Sequence, residues 1–140
     1  RRIVGPTLFF DTGKRQTCTV NVTRTNTPLH ALVTLNDVTY VEAARGLAQR
    51  VMESTGPLPD ARIELAFRLT TSRRASQTER EILRSRYVTL KDQYVTEPAE
   101  ATKLLAHGDS PRNEQLDATE HAALTSLCLM LLNLDESLSK

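Results

Sequence analysis

Between positions 124 and 134 the chain places Leu, Cys and Met on nearly every side of a helix, instead of at the one-in-3.6 spacing of a surface helix. A helix that is apolar all round must be buried on several faces at once. The rest of the chain therefore has to wrap it, and this stretch reads as the central post of a helical bundle. Its longest unbroken apolar run, 127–132, falls far short of the ~20 residues that span a bilayer, so no membrane span is expected. The wrapping must be aliphatic, because the 140 residues include three Tyr, three Phe and no Trp.

The other elements follow from periodicity and punctuation. Thr27-Pro28 supplies an N-cap and a proline at the first helical position, where its missing N–H costs nothing. A short helix to about residue 35 follows. Asn36-Asp37 breaks it, and Asp37 can cap a second helix from 38 to about 54, with Val41, Ala44, Ala48 and Val51 on one face. Gly56-Pro57 ends that helix. A third helix starts near Pro59 and stops near Ser72, with Ile63, Ala66, Phe67 and Thr70 aligned. Ser76 and Glu79 form a capping box for a fourth. Its seam of Leu83, Tyr87, Leu90 and Tyr94 suits an antiparallel neighbour, expected to be the third helix. Pro98 opens a fifth, with Gly108 as a left-handed C-cap. Asp117 and Glu120 open the last, expected to run from 118 to about 138.

Residues 1–24 lack helical periodicity. Thr7-Leu8-Phe9-Phe10 and the stretch Thr17-Cys18-Thr19-Val20-Asn21-Val22 read as extended, with a turn at Asp11–Lys14. They are expected to form an arm lying on the helices or a short β-hairpin, the arm being favoured because two strands alone make a poor sheet. The fold class is thus mainly α: a compact bundle of about five to six helices, residues 27–140, with an extended or short β-hairpin N-terminal arm, residues 1–26.

Chemistry is harder to find. The formal net charge of +1 gives no basic footprint for a polyanion, so no nucleic-acid partner is expected. His30, His107 and His121 lack partners at metal-ligand spacing and read as surface or capping residues, so no metal is expected. Cys18 and Cys128 form no CxxC motif. They read as two buried thiols, and a bond tying the first segment to the last helix is the alternative for an exported protein. Gly108-Asp109-Ser110 matches the start of one esterase group, but here it follows a helix instead of a strand and reads as a turn. The opening Thr78-Glu79-Arg80-Glu81-Ile82-Leu83 is similar to that of LuxR-type helix-turn-helix proteins, yet the seam runs to Tyr94 without the turn such a motif needs. No catalytic residue stands out. The densest polar cluster, Arg24, Asn26, His30, Asn36 and Asp37, lies at the two ends of the first helix. It reads as capping and loop-pinning, or as a rim for a ligand or neighbouring domain.

That cluster belongs to a longer resemblance. Phe10-Asp11, Lys14 to Cys18, Arg24-Thr25-Asn26-Thr27-Pro28-Leu29-His30-Ala31-Leu32, Leu35-Asn36-Asp37 and Tyr40-Val41-Glu42-Ala43-Ala44-Arg45 resemble the C-terminal part of the planctomycete-type PSD1 family, domain of unknown function 1553. Ala66 to Thr70 with Glu79, then Leu104-Leu105, Gly108-Asp109-Ser110 and Leu131-Leu132-Asn133-Leu134-Asp135-Glu136, continue it in order. The resemblance implies a long exported protein, periplasmic or at the cell surface. Its upstream domains often include a cytochrome-like one that holds c-type haem. It implies no activity and maps no catalytic residue, and no cofactor is expected in this segment. The chain begins at Arg1-Arg2-Ile3 without Met, so a targeting segment is expected upstream. These readings together suggest a non-catalytic helical domain that packs on upstream domains of the same chain. Two alternatives are a module for polysaccharide or another cell-surface ligand, and part of a composite enzyme or redox protein whose site lies upstream.

Overall fold

The computed structural model describes residues 28–138. The expected arm or hairpin, residues 1–26, lies outside them. Seven helices, and no strand, occur among the described residues: α1 Pro28–Asn36, α2 Val38–Ser54, α3 Pro59–Thr71, α4 Gln77–Thr96, α5 Pro98–Leu105, α6 Ala118–Leu132 and α7 Asp135–Leu138. None of them is long and apolar enough to cross a membrane.

Local chemistry starts these helices where expected. Asp37 accepts the Thr39 N–H at 2.9 Å and caps α2. Ser76 and Glu79 exchange both bonds of a capping box at the start of α4. Asp117 accepts the Glu120 N–H at 2.8 Å and caps α6. Each cap satisfies a backbone donor that the first helical turn leaves unpaired.

α6 packs against every other helix. His121 to Thr125, Leu127, Cys128 and Leu131 are all buried, so burial runs round its circumference as the apolar pattern demands. The core joins Ala44, Ala48, Val51 and Met52 of α2 to Ile63, Ala66 and Phe67 of α3, Tyr87 and Leu90 of α4, and the inner faces of α6. A smaller cluster of Ala101, Leu105 and Ala122 seats α5.

Three boundaries and neighbours differ from expectation. The seam of α4 rests chiefly on α6, with α3 as its lesser partner, because α6 offers the larger apolar surface. α5 stops at Leu105, where the Ala106 N–H reaches back to Thr102 and Lys103. Gly108 does take a positive φ of 89°, but beyond the helix cap. The last helix ends at Leu132. The Asn133 and Leu134 N–H groups close tight i→i−3 turns, and α7 follows as a separate turn of helix.

Candidate functional site

Of the five rim residues, Arg24 and Asn26 lie outside the described residues. Asn36 donates from Nδ2 to the Leu32 carbonyl at 2.8 Å, closing the end of α1. Asp37 is engaged in capping α2. Both therefore do the local work their position suggested. His30 does not sit on a rim at all: it is buried at 6% exposure. Thr34, one turn along the same face, is wholly buried and donates its hydroxyl to Asn133 Oδ1 at 2.6 Å.

Residues four apart share a helix face, so the opposite side of α1 belongs to Leu32 and Leu35. Those leucines are 59% and 41% exposed, and Val38, where α2 begins, is 53% exposed. α1 is thus inside out. It turns Thr34 inward toward Asn133 and presents Leu32 and Leu35 outward. A leucine left in water forgoes about 1.5–3 kcal/mol relative to full burial.

A second polar assembly lies on α2, whose Glu42, Arg45, Gln49 and Glu53 form one stripe. Arg45, 5% exposed, donates to the Leu105 carbonyl at 2.8 Å and the Ser110 carbonyl at 2.6 Å. Glu42 accepts the Ser110 N–H at 2.7 Å and also the Ser110 hydroxyl, which hold its carboxyl below the usual range. Gln49 accepts the Asn113 N–H at 3.1 Å, and Glu53 accepts its side-chain amide at 2.9 Å. The stripe pins the whole connection between α5 and α6. Gly108 is required in it, because a Cβ there would collide with the Glu42 carboxyl. Gly108-Asp109-Ser110 is therefore a turn clasped by a carboxylate, as the sequence indicated. The pieces 40–45 and 108–110 of the family resemblance meet here.

His121, expected at the surface or in a cap, is wholly buried beneath this connection, with Nε2 3.2 Å from the Arg45 carbonyl. A carbonyl only accepts, so Nε2 carries the proton. Burial first, then the positive charges of Arg112 and Arg45, hold the ring below the usual histidine range. The sequence signal missed here is its i,i+4 spacing from Thr125, another buried polar residue.

The remaining charges link elements as well. Glu120 accepts from Arg62 at 2.9 Å and Lys91 at 2.6 Å, tying α6 to α3 and α4. Arg73 bridges Glu79 and Glu136 at 2.6 and 2.7 Å and lies 4.8 Å over the Phe67 ring. α4 runs unbroken from Gln77 to Thr96, without the turn of a helix-turn-helix. Among the described residues, no group of three or more His, Cys, Asp or Glu could hold a metal ion. Cys128 is a free, wholly buried thiol that burial pushes up to about 12. Cys18 lies outside the described residues.

The model of the family PSD1, described as a protein of unknown function (DUF1553), matches residues 1–87. The matched span takes in α1, α2, α3 and the first half of α4, and stops short of the resemblances at 104–136. No curated protein and no solved structure matches the chain.

Proposed function

This chain belongs to the PSD1 family, and from that premise we propose that it is a non-catalytic helical domain with a structural, docking role in an exported multidomain protein. The observation that carries the reading is the inversion of α1. A helix that hides His30 and Thr34 and presents Leu32 and Leu35 is built to be covered from outside. The engagement of Arg45, Arg62, Arg73 and their carboxylates in clasps between helices supports a scaffold over a reactive centre. The partner is another part of the same polypeptide, with the upstream domains supplying any haem or catalytic chemistry. A polysaccharide site gains nothing from the geometry: His30 is buried, and Asn36 and Asp37 are engaged as caps.

The test is the double substitution Leu32→Ser/Leu35→Ser, made in this chain and in the longer polypeptide that contains it. A covered face loses about 1–3 kcal/mol of stability by urea denaturation. A face left in water changes by no more than about 0.5 kcal/mol in either protein, and that result would end the docking reading.

A further inference from the structure

The connection between α5 and α6, residues 106–117, is held by side chains and not by burial. None of its residues is buried. Glu42, Arg45 and Gln49 grip its backbone and Glu53 grips the Asn113 side chain, while the wholly buried ring of His121 lies beneath it. We infer that this connection is an acid-released latch: when His121 takes up a second proton, residues 106–117 lift away from α2 while the helices stay packed.

Three features point to it. The first is where the proton must go. Nε2 already donates to the Arg45 carbonyl at 3.2 Å, so a proton gained on acidification lands on Nδ1. Nδ1 is buried and has no hydrogen-bond partner among the described residues. The new N–H would be an unsatisfied, charged donor away from water, which is a costly arrangement.

The second is the charge around the ring. Arg45 of α2 and Arg112 of the connection face it as cations, and Glu53 of α2 as an anion. Glu53 is already engaged by Gln49 and Asn113, and Glu42 by Ser110 and, at 3.9 Å, by Arg45. On the other helices around α6, Glu120 takes up Arg62 of α3 and Lys91 of α4, and Glu100 of α5 pairs with Lys103. Asp117 caps α6. α1 and α7 are bonded to α6 near its opposite end, at Asn133 and Leu131. An imidazolium would be a third cation beside two arginines, and none of these carboxylates is free to meet it.

The third is the way out. Leaving through the core would part buried apolar side chains such as Leu124 and Leu127. Lifting the connection parts only hydrogen bonds that water can replace, the kind of local opening that needs least free energy. The Glu42 clasp does not itself respond in the histidine range, because its bonds to Ser110 hold the carboxyl below its usual value.

The test is residue-resolved amide exchange on the 140-residue chain, with protection corrected for the intrinsic effect of pH. With an unfolded histidine value of about 6.5, protection of the Ser110 and Asn113 amides is expected to fall about tenfold between pH 7.5 and 5.5. That fall should be indifferent to low urea, since little surface is bared, whereas core amides of α6 exchange by a urea-sensitive route. His121→Gln keeps a donor for the Arg45 carbonyl and should abolish the fall at Ser110 and Asn113. His30→Gln and His107→Gln, at the other two of the chain's three histidines, should retain it. If the His121→Gln protein does not fold, retention in those two proteins assigns the fall to His121 by exclusion. Protection that is flat with pH, that falls equally in His121→Gln, or that falls only through urea-sensitive opening of the whole bundle would overturn the inference. So would amides unprotected at pH 7.5, because the latch would then already stand open.

Discussion

At Gly108, with φ 89° and the Glu42 carboxyl standing where a Cβ would go, even a single methyl group is strained. Gly108→Ala is expected to cost about 1–3 kcal/mol in urea denaturation. Adding Glu42→Ala should recover only part of that, since the backbone strain stays. His121 sets a pH dependence of known sign. Its folded-state pKa lies below its unfolded value of about 6.5, so the neutral ring is fully compatible with the fold above that value. Stability falls as pH drops below it, because the unfolded chain takes up a proton that the buried ring resists. The urea midpoint should therefore decrease between pH 7.5 and 5.5, and His121→Gln should flatten that slope. The lowered carboxyls of Glu42, Glu79 and Glu120 act in a separate, more acidic window. They contribute above the usual carboxylate range and lose that contribution as pH falls through their depressed values.

Among the elements, α6 separates what local pattern determines from what it does not. Leu127 is wholly buried and Met130 is 38% exposed on the same helix. Leu127→Ala is expected to cost about 2–5 kcal/mol and Met130→Ala less than about 1 kcal/mol, both read from denaturant midpoints. Its start at Ala118 was legible, because Asp117 and Glu120 sit in the cap itself. Its end was not. Nothing near Asn133 breaks a helix, and its side chain is held by Thr34, a residue 99 positions away. The orientation of α1 was hidden for the same reason: Leu29, Leu32 and Val33 have ordinary core spacing, and the inward turn of Thr34 is fixed through Asn133. Asn36 and Asp37 were readable as caps because capping is a short-range act. The stripe Glu42–Arg45–Gln49–Glu53 looks like any solvated helix face, since its partners lie 60 to 68 positions further on.

For the whole molecule, the all-round apolar stretch foretold a post and its wrapping. What it could not foretell was the order in which the wrapping becomes possible. α1 to α5 all precede the helix they surround. A ribosome delivers them one after another, and until residues 118–132 emerge they have no common surface to bury Val51, Phe67 or Tyr87 against. The bundle must therefore close after most of it has been synthesised, from contacts far apart in the chain, which is slow and leaves apolar faces open in the meantime. In that interval the nascent chain is expected to be prone to aggregation. A polypeptide cut at the edge of the family match, at Tyr87, would stay in that open state permanently.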